Sequence, residues 1–131
     1  VIGVGSGTAV RVRRVYDPPQ EGDGIRVLVD RLWPRGVSKE HAAIDVWARD
    51  VTPSKELRTW YHEDRTGARY DDFVDRYRTE LGDPAHTRAV DDLVGLVREG
   101  RPVTLVTAVK DVAASHVPVL VDHVEHTLGH R

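Results

Sequence analysis

The chain has no cysteine. That single absence excludes disulfides, thiolate metal sites, iron–sulfur clusters and a cysteine nucleophile together. It has no methionine and only one phenylalanine, so no thioether can ligate a haem iron. Neither sign of charge dominates: 19 basic and 21 acidic residues leave a formal net charge of -2. A slightly acidic chain offers no global basic field to a nucleic acid. No apolar run approaches the length that spans a bilayer. No signal-peptide pattern opens the chain, and the cytoplasm is the expected location. GxSxG, Walker, HExxH and GxGxxG signatures are all missing; Gly3, Gly5 and Gly7 have the wrong spacing.

What remains is an ordinary globular composition, 40% hydrophobic and 31% charged over 131 residues, which suits one compact domain. Residues 1–8 read as a flexible tail and 9–131 as a single α/β domain. Ala9–Tyr16 alternates valine with arginine, the pattern of a strand with one wet face near a sheet edge. Ile25–Leu32 is mostly apolar on both faces until Asp30, as expected of a strand covered from both sides. Ser38 caps an expected helix across Lys39–Asp50, with Ala42, Ala43, Val46 and Trp47 inward. Ser54 caps a short helix to His62. A longer helix opens at Gly67 or Arg69 and ends at Leu81, and Asp83-Pro84 starts another that runs to Gly100. Val103–Val109 is the third expected strand, and a last helix begins between Asp111 and Pro118. The expected fold is a small, mostly parallel sheet flanked by helices, with a helical insertion between the second and third strands.

Two of these strands end in charge. The second runs into Asp30 and Arg31 and on to Trp33 and Arg35; the third runs into Lys110 and Asp111 and on to Ser115 and His116. Ligands of open α/β sheets collect beyond the carboxyl ends of the strands, and parallel pairing would bring these groups to one crevice. Arginines, a lysine and the last helix's N-terminus suit an anion, a phosphate or a carboxylate. Arg14, Arg31, Trp33, Arg35, Ser54 and Arg58 are the candidate ligand-binding residues, with Trp60 as a second possible wall. Asp30, Lys110, Asp111 and His116 are the candidates for proton transfer. The plainer alternative is that Asp30 pairs with Lys110, or Arg31 with Asp111, and merely ties loops together. A helix start should lower the pKa of His116. His123, His126 and His130 share a helix face, without a carboxylate pattern that would make them a metal site.

Arg14-Val15-Tyr16, the long run Asp23–Gly36 (DGIRVLVDRLWPRG), Pro53-Ser54 with Leu57-Arg58, and Arg76-Tyr77 with Glu80-Leu81 resemble the DUF488 family, in particular its YeaO-like branch of small bacterial proteins of unassigned function. The strand through Thr104-Leu105 that ends in Lys110-Asp111, with His116 after it, fits the same pattern. The resemblance covers nearly the whole chain and implies an α/β domain, with no established mechanism. Other branches carry cysteine after the last strand; this chain has none, so thiol chemistry does not transfer. Three function classes stay open: an anionic small-molecule site, enzymatic or not; a non-catalytic binding module for a protein partner or for haem held by His62, His116, another histidine or a tyrosine; and nucleic-acid binding through the arginines of Ala9–Tyr16.

Overall fold

In the structure, a computed structural model, residues 10–129 are described. The expected tail at 1–8 lies outside them. Four strands form one parallel sheet: β1 (Arg11–Arg14), β2 (Ile25–Leu28), β3 (Val46–Trp47) and β4 (Val103–Thr107), in the order β1-β4-β2-β3. Five α-helices accompany them among the described residues: α1 (Lys39–Ala42), α2 (Lys55–His62), α3 (Tyr70–Leu81), α4 (Pro84–Arg98) and α5 (Val117–Gly129). The chain is therefore a small α/β fold. Its two apolar strands, β2 and β4, lie side by side at the centre, with Val27 opposite Leu105 and Leu28 opposite Val106. Among the described residues the arginine-rich β1 occupies an edge and pairs with β4.

Two faces bury different amounts. Val27, Val29, Val103 and Leu105 join residues of α2 through α5 in the main core. Val15, Val106 and Ala42 form a smaller cluster on the other side, against Trp33, Val37 and Ile44. Three aromatic rings stack through the main core: Tyr61 on Phe73 at 4.4 Å, and Phe73 next to Tyr77 at 6.1 Å. The buried Tyr77 hydroxyl donates to the Val51 carbonyl, which satisfies its polar tip.

The segment expected to be helical across Lys39–Asp50 corrects the sequence reading. Its helix stops at Ala42, Ala43 turns left-handed at φ 51°, and Val46–Trp47 becomes the second edge strand. The cause is a buried arginine. The Arg26 guanidinium takes the carbonyls of Ala42 and Ala43 at 2.9 and 3.1 Å, the two acceptors that residues 46 and 47 would need to continue the helix. Asp45 then pairs with the Arg26 backbone in both directions.

Arg26 is 4% exposed and sits in β2 among apolar residues. Its charge is met by Asp23 at 2.7 Å, which Arg13 also approaches to 3.0 Å. Burial pushes the Asp23 carboxyl up, but hydrogen bonds from Gln20 and Arg26 and the two arginine charges outweigh it and hold it below its ordinary value. Gly24 follows at φ 64°; a β-carbon there would stand 2.1 Å from the Pro102 carbonyl oxygen, so only glycine fits.

Candidate functional site

Past Leu28 the β2–β4 ladder continues through main chain for one more bond, from Val29 N–H to the Val106 carbonyl. Then a side chain takes over. Asp30 Oδ2 accepts from the Ala108 N–H and Oδ1 from the Thr107 hydroxyl, both at 2.7 Å. The ladder thus ends in a carboxylate, and the two chains diverge beyond it around a cleft of about 780 Å³. The cleft lies at the carboxyl ends of β2 and β4. One wall is the loop from Asp30 to Arg35; the others come from Thr52-Pro53, from α2 and the turn after it, and from the loop after β4.

Seven of the ten expected site residues line this cleft: Asp30, Arg31, Trp33, Arg35, Arg58, Asp111 and His116. Trp33 is fixed by donation from its indole N–H to the Val37 carbonyl at 2.7 Å and by an edge contact with Trp47. His116 donates from Nε2 to the Val29 carbonyl at 2.6 Å and stands 3.9 Å from Asp30 Oδ1. Burial lowers its pKa; the Val29 bond and the Asp30 charge oppose that, while Arg58 and His62 add to it. The direction matches the expectation from a helix start, but burial is the main cause.

Arg14, Ser54 and Lys110 do not line the cleft. Arg14 holds the loop after β4 from behind, donating to the carbonyls of Val109 and Ala108 at 3.1 and 3.4 Å. Ser54 caps α2 and gives both its N–H and its hydroxyl to Glu80. Lys110 is exposed and bonds to neither Asp30 nor any other carboxylate among the described residues. The expected tie between Asp30 and Lys110, or Arg31 and Asp111, is not formed; Thr107, Ala108 and His116 take that place. Trp60 is no wall either, lying between the guanidinium groups of Arg69 and Arg76. Among the other arginines of the first strand, Arg13 is committed to Asp23.

Several cleft residues were not singled out from the sequence. Tyr61 donates to the Ala114 carbonyl at 2.7 Å, and Tyr70, behind it, to that of Ser115 at 3.0 Å, so two phenols pin the loop that leads into His116. Burial, then the charges of Asp111 and Asp64, push the Tyr61 phenol up. Asp64 closes the turn after α2 by accepting from the Thr66 hydroxyl and N–H and the Arg69 N–H, which brings its carboxyl down to about 2. The residue types 64–67 (DRTG) carry a turn signal, but nothing local says which cavity a turn will border.

Charge in the cleft is unevenly engaged. Asp30 and Asp64 are each held by several donors. The side chains of Arg31, Arg35, Arg58 and Arg65 have no hydrogen bond, ion pair or ring contact among the described residues. The Arg58 Nε is buried without a partner, an arrangement that costs free energy until something accepts from the guanidinium. Among the described residues no three histidine, aspartate or glutamate side chains are grouped to hold a metal, and no helix is long and apolar enough to cross a membrane. His130 lies outside the described residues.

The family model described as "Inactive DUF488-N3 subclade" matches residues 9–131. The chain belongs to this family, DUF488-N3i. It is 47% identical over 113 residues to the uncharacterized protein Rv3073c of Mycobacterium tuberculosis strain H37Rv, covering 86% of this chain and 91% of the relative. It is 38% identical over 113 residues to the uncharacterized protein YeaO of Escherichia coli K12, covering 86% and 94%. No solved structure matches. In this DUF488-N3i chain the long motif from Asp23 to Gly36 divides by role. Asp23, Gly24 and Arg26 build the sheet's support, and Asp30 to Arg35 form a wall of the cleft.

Proposed function

We propose that this DUF488-N3i protein is a binding module for a small anionic ligand, held in the cleft at the strand ends without chemical turnover. The observation that carries the reading is the set of four arginines lining one cavity, none of them ion-paired with Asp30, Asp64 or Asp111, which line it too. Arginine forks suit carboxylate and phosphate, and the volume falls within the usual range for small-molecule sites.

The candidates for proton transfer support binding rather than catalysis. Asp30 uses both oxygens, one bond each, to hold Thr107 and Ala108 at the end of β4. His116 spends its Nε2 proton on a main-chain carbonyl. Lys110 stands away from the cavity, and Asp111 is exposed at its edge. Catalytic pairs join a base to a nucleophile, and among the described residues none of these four groups is hydrogen-bonded to a nucleophile lining the cleft other than through the Asp30–Thr107 tie that closes the ladder. The family's own description as an inactive subclade agrees. A cytoplasmic setting is part of the same proposal.

Arg35 tests it cleanly, because it is exposed and holds nothing else in place. A thermal-shift titration with inorganic phosphate and with small carboxylates should raise the melting temperature of the unmodified protein. Arg35→Ala should melt at nearly the same temperature without ligand and respond less to it. Loss of folding in the variant would assign Arg35 a structural role instead. An equal response in both proteins would remove Arg35 from the site.

A further inference from the structure

His116 has two ring nitrogens, and only one is occupied. Nε2 faces the Val29 carbonyl oxygen at 2.6 Å, a group that can only accept, so Nε2 carries the proton. In the neutral ring Nδ1 is then a bare acceptor. No hydrogen bond reaches Nδ1 among the described residues, and it is not one of the buried polar atoms left without a partner. It is accordingly open to solvent, on a ring that keeps 11% of its surface and borders the cleft.

A second acceptor lies on the Nε2 side of the ring. Asp30 Oδ1 is 3.9 Å from Nε2, and each Asp30 oxygen accepts one bond, although a carboxylate oxygen has room for two. Arg58 borders the same cleft, near enough that its charge disfavours a proton on His116. The cleft therefore holds both an unpaired cation and unfilled acceptors. Apolar residues line it as well, with Tyr61 and Phe73 stacked at 4.4 Å and Pro34 and Pro53 buried.

We propose that the ligand carries, next to its anionic group, a hydroxyl or amine that donates to Nδ1 of His116. His116 would then be the specificity-determining residue of a site for small hydroxy or amino acids with an apolar body. This deepens the anion-binding reading and rests on it. A plain carboxylate would satisfy the arginines but leave the acceptors dry and unfilled, and sites built to bond a donor reject the analogue that lacks it.

Matched acids separate the two claims. Mandelate is phenylacetate with one added hydroxyl, and lactate is propionate with the same addition. Titration calorimetry at about pH 8, above the ordinary histidine range, should show the hydroxy acid of each pair binding roughly tenfold tighter to the unmodified protein. His116→Gln places its amide N–H where Nε2–H stood, keeps the bond to Val29, and removes the acceptor at Nδ1. In that variant the preference should shrink to under about twofold, with circular dichroism unchanged. If the variant does not fold, nitrogen-15 NMR of the unmodified protein serves. The Nδ1 resonance of His116 should move on addition of mandelate and stay in place with phenylacetate. Equal affinities within each pair would overturn the donor proposal and leave anion binding standing. Binding of neither pair, nor of inorganic phosphate, would overturn both.

Discussion

Replacing Asp30 by alanine should cost far more stability than replacing Lys110. The magnitude follows from its contacts. Its two oxygens accept from the Thr107 hydroxyl and the Ala108 N–H, both at 2.7 Å, and a hydrogen bond to a charged group contributes about 1.5–3 kcal/mol. The side chain keeps 14% of its surface, so solvent weakens each bond and the low end of that range applies. The Ala108 N–H loses its partner at the end of the ladder, while the Thr107 hydroxyl still accepts from the Val109 N–H. The expected loss is about 3 kcal/mol. Lys110→Ala, at an exposed residue, should change stability by less than about 0.5 kcal/mol. Urea unfolding of the two variants with a shared slope supplies the comparison. A loss under about 1 kcal/mol for Asp30→Ala, or equal losses for both variants, would mean that this carboxylate does not close the β2–β4 ladder.

Gly24→Ala must fit a β-carbon 2.1 Å from the Pro102 carbonyl oxygen at φ 64°; a destabilisation of at least about 3 kcal/mol is expected, read as loss of the cooperative transition or of soluble protein. Arg26→Leu leaves Asp23 buried with only Arg13 to balance it and frees the carbonyls of Ala42 and Ala43; the expected cost is about 3–5 kcal/mol by the same unfolding assay. His116 sets a pH dependence. Its folded pKa lies below the ordinary 6.5, so the unfolded chain takes up the proton first. The stability it contributes is complete above about pH 6.5 and is lost as the pH falls through the depressed folded value. His116→Gln should flatten the acid limb over that interval, and an unchanged limb would contradict the burial argument.

Much of this molecule could be read from residue order. The β-branched runs of β2 and β4 identify a buried parallel pair because both faces are apolar, and Ser54 and Asp83 mark helix starts by hydrogen bonds that are local in sequence. The crevice followed from the same logic: charges placed after two central strands must meet if those strands are neighbours. Long-range polar chemistry was not legible. Ala42, Ala43, Val46 and Trp47 fit a helical stripe, and only Arg26, folded beneath them, turns the segment into a strand. Asp30 has Lys110 as its partner by position, yet the Ala108 amide, two residues earlier in the chain, is what it meets. Aromatics behave likewise. Tyr61 and Phe73 belong to an apolar stripe whose outer edge happens to border the cavity.

Chemical-shift mapping tests the central claim most directly. Nitrogen-15-labelled protein titrated with mandelate should show saturable shifts at cleft positions, Arg31, Thr52, Arg58, Ala108 and His116 among them, and Arg58→Ala should abolish the saturation. Shifts that rise without limit, or that scatter over α4 and the β1 edge instead, would show that the four unpaired arginines are simply solvated and that the cavity holds no anion.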